Sequence, residues 1–233
     1  MQTVSELYSK LWRTARHRKE HRAIIAGVTY SEDDIVGTPR TSRPLFGGNV
    51  PTVGSCAAGQ LDISVIPKGN IPRMAEIRLY TRLVLGEQVS EWIPKGVFYI
   101  DTRKLDTESG VLTTHGYDDM LKGEAPFLQE VDTGDWPRPS SVLVSEICAR
   151  MGVTLDSRTE LDDSIMVPYP DDWDITCREL LSMVGTAHCG NWTMTDTGKL
   201  RLVPLWSIPE ATHYLVDQYG DPITLGGVKI LVD

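Results

Sequence analysis

Residues 96–121 hold two runs of alternating apolar and polar side chains separated by a polar, glycine-ended turn. That pattern admits little besides an antiparallel hairpin running into a short helix. The first run, residues 96–102, is rich in β-branched and aromatic side chains, which a pleated surface accommodates best. Asp106, Thr107, Glu108, Ser109 and Gly110 supply the turn. In the second run Val111, Thr113, His115 and Tyr117 fall on one face, because successive strand side chains point to opposite sides. Gly116, Tyr117 and Asp118 then end the alternation. The glycine lets the chain leave the strand, the tyrosine is expected to bury against the sheet, and Asp118 is placed to cap a short helix through Met120 and Leu121.

The same alternation recurs upstream. Residues 23–30 are strand-like, residues 60–66 alternate Leu61, Ile63 and Val65, and residues 76–85 set Ile77, Leu79, Thr81 and Leu83 against Arg78 and Arg82. One face of each run is polar and the connections are too short for crossover helices, so the strands should pair antiparallel. About five or six of them suffice for a small barrel or sandwich. Before them, Thr3 and Glu6 have capping-box spacing, and Val4, Leu7, Tyr8 and Leu11 follow at helical intervals, predicting a helix to about Lys19. Its end carries Arg13, Arg16, His17, Arg18, Lys19, His21 and Arg22, a cluster read as a solvated last turn that complements the helix dipole.

With 233 residues, 41% of them hydrophobic, the chain can bury one large core or two small ones. Gly134, Pro137 and Pro139 mark a boundary, which divides the chain into residues 1–127, 128–210 and 211–233. In the second segment Val144, Ile147, Cys148 and Met151 mark a helix that stops at Gly152. Cys177, Leu180, Leu181 and Val184 mark another, which Asp174 is expected to cap. A short strand at residues 165–168 lies between them, and strands at 191–195 and 199–205 flank the turn Asp196, Thr197, Gly198. The final segment is strand-like and stops without a turn or cap. It either returns to the first sheet or opens a further domain in a chain that continues.

Charge limits the partners. The net charge of −9 argues against a groove that grips nucleic-acid phosphates, since such grooves need clustered lysine and arginine, but it suits a conduit along which DNA slides without sticking. Cys56, Cys148, Cys177 and Cys189 show no C-x-x-C spacing and read as free buried thiols, with no metal or cofactor implied. The first 19 residues lack the apolar core of a signal peptide, and no run approaches the roughly 18 apolar residues of a membrane span. Synthesis in a cytoplasm without a cleaved signal is the expectation.

Taken in order, the run G-V-F-Y-I-D-x-R, the turn, and V-L-T-x-x-G-Y-D resemble the tail hub proteins of phages and prophages, relatives of the baseplate hub. Asp174, Thr176, Arg178 and Leu181, followed by Gly198, Lys199 and Leu200, stand in the order of the α/β insertion of those hubs, and Ile25 to Tyr30 and Gly54 to Ala57 extend the likeness upstream. The resemblance implies an α+β fold: a tail-tube-like antiparallel β-barrel or sandwich with an inserted two-helix α/β domain and an N-terminal helix. Gly116, Tyr117, Asp118, Asp174 and Arg178 are then structural motif residues. The resemblance also implies a homotrimeric ring in the virion tail tip, assembled in the bacterial host cytoplasm. Its partners would be a distal tail protein, a tape measure protein and tail-tip or fibre proteins, with DNA passing through without specific binding. Larger members carry two tube-like domains per subunit, where this chain reads as one.

Catalytic patterns are weak by comparison. His188 and Cys189 are adjacent, and adjacent helical residues point about 100° apart, which does not make a nucleophile and its base. The run Asp171, Asp172, Trp173, Asp174 lacks the glycine and terminal glutamate of a calcium loop, and Asp118 with Asp119 reads as a cap and its neighbour. His115 reads as a packed or interface histidine. No glycine-rich phosphate loop, H-E-x-x-H or G-x-S-x-G is present. A structural protein without catalysis is therefore expected. The alternatives are the non-catalytic N-terminal domain of a tail-associated peptidoglycan hydrolase, and a carbohydrate-binding module using Trp92, Trp136, Trp173 and Trp192 as stacking faces.

Overall fold

The computed structural model describes residues 4–48, 50–128, 135–205, 224–225 and 228–229. It opens with helix α1 (Glu6–Arg13), capped by Ser5, whose hydroxyl accepts from the Tyr8 N–H at 3.0 Å. Tyr8 and Leu11 bury against Leu83 and Ile93. Thr3 lies outside the described residues, and the helix is shorter than its apolar spacing predicts. Thr14 is already extended, Arg16 turns the chain at φ 71°, and Arg18–Ile25 forms strand β1. Of the basic cluster only Arg13 therefore belongs to the helix end. Arg18, Lys19, His21 and Arg22 lie on a strand, because β1 finds a backbone partner for all eight of its residues, and that ladder outweighs a helical preference in so charged a segment.

Strands β2 (Val28–Tyr30), β3 (Arg40–Ser42), β4 (Gln60–Val65), β5 (Glu76–Leu85), β6 (Gln88–Val89), β7 (Ile93–Leu105) and β8 (Leu112–Tyr117) join β1 in one antiparallel sheet. Its order is β2-β1-β5-β7-β8-β4-β3, with β6 added to β5. Among the described residues the ladder does not close into a barrel. The sheet nevertheless curls, for residues Ala23, Ile25 and Tyr30 from one end and Leu61, Ile63 and Val65 from the other share one core with Phe98 and Ile100. A lone bridge between Ile35 and Val65 carries the segment after β2 across to β4. Register shifts interrupt β5–β7 at Leu79/Tyr80 and β7–β8 at Ile100/Thr102. Such bulges sharpen the twist of a curling sheet.

The second unit is built on helices α2 (Ser140–Met151) and α3 (Cys177–Ala187). A short pair, β9 (Arg138–Pro139) with β11 (Met166–Val167), lies beside α2. The strands β10 (Thr154–Leu155), β12 (Gly190–Met194) and β13 (Lys199–Pro204) make a sheet of order β10-β13-β12, with β10 parallel to β13. Gly152 ends α2 in the left-handed conformation at φ 65°. The α3 cap is Thr176, not Asp174. Thr176 and Glu179 form a complete capping box, while Asp174 is exposed and spends its N–H on Asp172 Oδ1 at 2.9 Å.

The second core contains Leu143, Ile147, Leu180, Val184, Trp192 and Leu202, and also Cys56, Met120, Phe127 and Leu128 from earlier in the chain. Two segments of the first half thus pack with the α/β unit. Strands β14 (Thr224–Leu225) and β15 (Val228–Lys229) pair with each other, and the rest of the expected final strand lies outside the described residues.

Candidate functional site: a buried carboxylate where the sheet meets the helical unit

At the end of β8 the chain passes from the sheet to a 3-10 helix, Asp119–Glu124, and Asp118 stands between them as its N-cap. One carboxylate oxygen accepts from the Met120 N–H at 3.1 Å, and the other from the Gly59 N–H at 2.8 Å. The second bond fastens the chain just ahead of β4 to the passage. It also leaves no room for a side chain at residue 59, where a Cβ would lie 2.4 Å from Asp118 Oδ2. Asp118 is 1% exposed. Burial raises its pKa to about 6, against the opposing pull of the two backbone N–H groups and of Arg43.

Gly116 is required by a close approach and not by a turn. It pairs with Ile100 beside the bulge, and a Cβ there would lie 2.4 Å from the Tyr99 carbonyl oxygen. Tyr117, expected to bury, is only half-buried on the outer face, edge-on to His115 at 4.9 Å, since the bulged strand leaves the 113, 115, 117 face outside. His115 meets Asp62 across β4–β8 at 2.8 Å. Asp119 is buried and binds Lys122 at 2.6 Å, whose ammonium also reaches the Tyr99 hydroxyl at 3.3 Å. Arg178 donates to the Met120 carbonyl at 2.8 Å and pairs with Glu124 at 2.9 Å, tying α3 to the 3-10 helix.

Two further attachments had no signal in local sequence. Arg43, just after β3, pairs with Asp196 in the β12–β13 turn and donates to the Lys95 carbonyl. Asn191, fully buried, accepts from the Ser55 N–H at 2.8 Å and donates to the carbonyls of Leu45 at 2.9 Å and Thr52 at 2.8 Å. The Gly54 N–H and the Ser55 carbonyl bond Gly190 and Trp192, so the loop completes the outer edge of β12. An asparagine at the start of a strand and an arginine in a loop look ordinary until their partners, about 140 to 150 residues away in the chain, are known.

The catalytic candidates are scattered. His188 caps the end of α3 with both ring nitrogens engaged: Nδ1 donates to the Val184 carbonyl at 2.9 Å, and Nε2 accepts from the Asp162 N–H at 2.9 Å. Cys189 is exposed, contrary to the expected buried thiol, because its positive φ of 49° turns the chain out of the helix. Burial pushes the Cys56 thiol up to about 12 and that of Cys148 to about 11, so both stay protonated. Among the described residues no three histidine, cysteine or carboxylate side chains converge as for a metal ion. As sugar-stacking faces the tryptophans do not form a set. Trp192 is fully buried with its N–H on the Leu181 carbonyl, Trp92 is engaged by Arg22 and Arg82, and Trp136 by Arg138 and Tyr169. Trp173 alone of the four is well exposed.

No sequence family and no curated protein matches the chain. Solved structures do. The 43 kDa tail protein of prophage MuSo2 from Shewanella oneidensis superposes over 89% of this chain and 61% of its own, with a TM-score of 0.53 at 13% identity. The tail protein from Neisseria meningitidis MC58 superposes over 84% of this chain and 57% of its own, with a TM-score of 0.50 at 10% identity. The chain has the fold of prophage tail proteins. It spans about three fifths of the length of these two. At such low identity it is the path of the backbone that is shared. Within the tail-protein fold, the Asp118 passage, Arg178, the Asn191 clamp and the Arg43–Asp196 pair join the sheet and the α/β unit.

Proposed function

We propose that this protein is a structural component of a phage or prophage tail, placed at the tail-tip hub, where copies of it form a ring that joins the tail tube to the distal tip. The observation that carries this reading is the backbone likeness to prophage tail proteins over 89% of the chain. The sheet's ends support it. Strands β2 and β3 close the order, each pairing on one side only among the described residues, and residues 102–105 of β7 pair with β8 alone. Open edges invite pairing with another chain and are satisfied in a ring.

In this reading the assembly is a homotrimer carried in the virion and built in the host cytoplasm. It contacts a distal tail protein, a tape measure protein and tip or fibre proteins. DNA passes through the ring without specific binding, and no catalysis is assigned. The channel face is acidic or neutral, since lysines and arginines there would bind each passing phosphate. A native mass measurement tests the stoichiometry: three copies are expected, six would move the protein to the tail tube or distal tail, and a monomer at high concentration would overturn the ring. Cell-wall suspensions should stay turbid when the protein is added. Clearing that is lost in Cys189→Ala or His188→Ala would instead make it a hydrolase.

A further inference from the structure

The outer face of β1 and β5 carries a guanidinium that packs on two aromatic rings and has no carboxylate partner among the described residues. Arg22 lies 4.6 Å from the Trp92 ring centroid and 4.8 Å from that of Tyr80, and Arg82 lies 4.5 Å from Trp92. Arg82 and Arg18 both pair with Glu20. Arg22 has no ion pair among the described residues, and its buried Nε has no hydrogen-bond partner. Arg18, Glu20, Arg22, Arg82 and Trp92 line a cleft of about 300 Å³. Glu32 and Asp33 line it too, Glu32 accepting the His21 N–H of β1 at 2.7 Å, so the cleft as a whole has no surplus of positive charge and Arg22 is its cation without an ion pair among the described residues. Held against two rings and stripped of part of its water, a guanidinium presents a planar fork of donors matched to a carboxylate.

Elsewhere the same chain exposes the complement. Trp173 is 73% exposed, the most exposed of the large hydrophobic side chains described, and Asp171, Asp172 and Asp174 surround it in an exposed loop. Asp172 Oδ1 accepts the Asp174 N–H at 2.9 Å, which pre-shapes the loop and lowers the ordering cost of docking. A bare tryptophan ringed by carboxylates is an anchor without a pocket.

We propose that the acidic loop bearing Trp173 docks on the Arg22–Trp92 face of a second copy of this chain, its carboxylates taken by Arg22. The contact joins two different surfaces, and repetition of such a head-to-tail contact closes a ring when its rotation divides a full turn. It rests on the ring reading above and names the surfaces that make it. Both halves are charged, so the contact is favoured at low salt and weakened by screening.

The test places a photo-crosslinking amino acid at position 173 in a mixture of isotopically light and heavy chains. Light–heavy adducts on residues 18–22, 80–82 or 92 are expected. Alongside, Trp173→Ala and Arg22→Glu should each weaken self-association on the order of tenfold or more, and Asp171→Arg should restore it to Arg22→Glu. Trp173→Ala changes only an exposed loop, so an unaltered melting temperature separates lost contact from lost folding. Assembly that survives both single variants leaves the ring standing and overturns this contact, as do adducts confined to other segments or to a different protein. A wild-type chain that never assembles overturns the ring and the contact together.

Discussion

Asp118 makes stability depend on pH in an unusual direction. Its folded pKa of about 6 lies above the ordinary value of 3.8, so the folded protein holds that proton more tightly than the unfolded chain does. Its contribution is full below about pH 4 and is lost as pH rises through 6, a change on the order of 3 kcal/mol. Asp34, Asp106 and Asp162, whose pKa values are lowered, lose stability only at more acid pH. Asp118→Ala orphans the N–H groups of Gly59 and Met120, which costs about 1–3 kcal/mol. The same change removes a buried charge at pH 7. Denaturant unfolding should therefore show a larger loss for Asp118→Ala at pH 5 than at pH 7, and the subtraction cancels His21, whose pKa burial lowers in both proteins. An equal or larger loss at pH 7 would mean that the carboxylate is ionised at no cost. Tyr117→Ala, half-buried on an outer face, should cost about 1 kcal/mol, less than the full burial of an aromatic ring would give.

At the scale of elements, what the chain declares locally and what it does not can be separated residue by residue. Strand β5 was legible from end to end because one of its faces is buried and the other wet, so the alternation is written in its side chains. The first five residues of β1 were not, since Arg18, Lys19, Glu20, His21 and Arg22 show no alternation of polarity, and only the partner strand decides their conformation. Asp174 and Thr176 are both capping residues two positions apart, and spacing cannot choose between them. The choice falls to Glu179, which completes a box with Thr176 alone. Thr176→Ala should lower stability by about 1 kcal/mol, whereas Asp174→Ala should stay within about 0.5 kcal/mol, as thermal melts of the two variants will show. The hairpin of β7 and β8 was legible as well, but not its bulge. Gly116→Ala should cost about 1–3 kcal/mol or more, because the clash is with backbone and a rotamer change cannot relieve it.

Across the whole molecule, the glycine and prolines near residue 135 led the sequence reading to divide the chain there, yet the packing crosses that point. Cys56 and Met120 sit in the second core, and Asn191 reaches back to residues 45, 52 and 55. Interactions across so many residues leave no local trace. They predict that the two cores melt as one: Asn191→Ala, which takes the side-chain partner from the Ser55 N–H and from the carbonyls of Leu45 and Thr52, should lower the transitions followed by Trp192 fluorescence and by β-sheet circular dichroism equally. Two separate transitions would show that the clamp does not couple them. The attachments also decide how the units can move. Asn191 and Asp196 lie toward opposite ends of β12, and two fixed points on a line still permit rotation about that line. The passage at Asp118, held by Gly59, leads into the 3-10 helix that packs against α3, to the side of that strand. A third point off the axis opposes that last rotation, so the helical unit is expected to turn with the sheet like a fixed vane, passing a torque on one to the other.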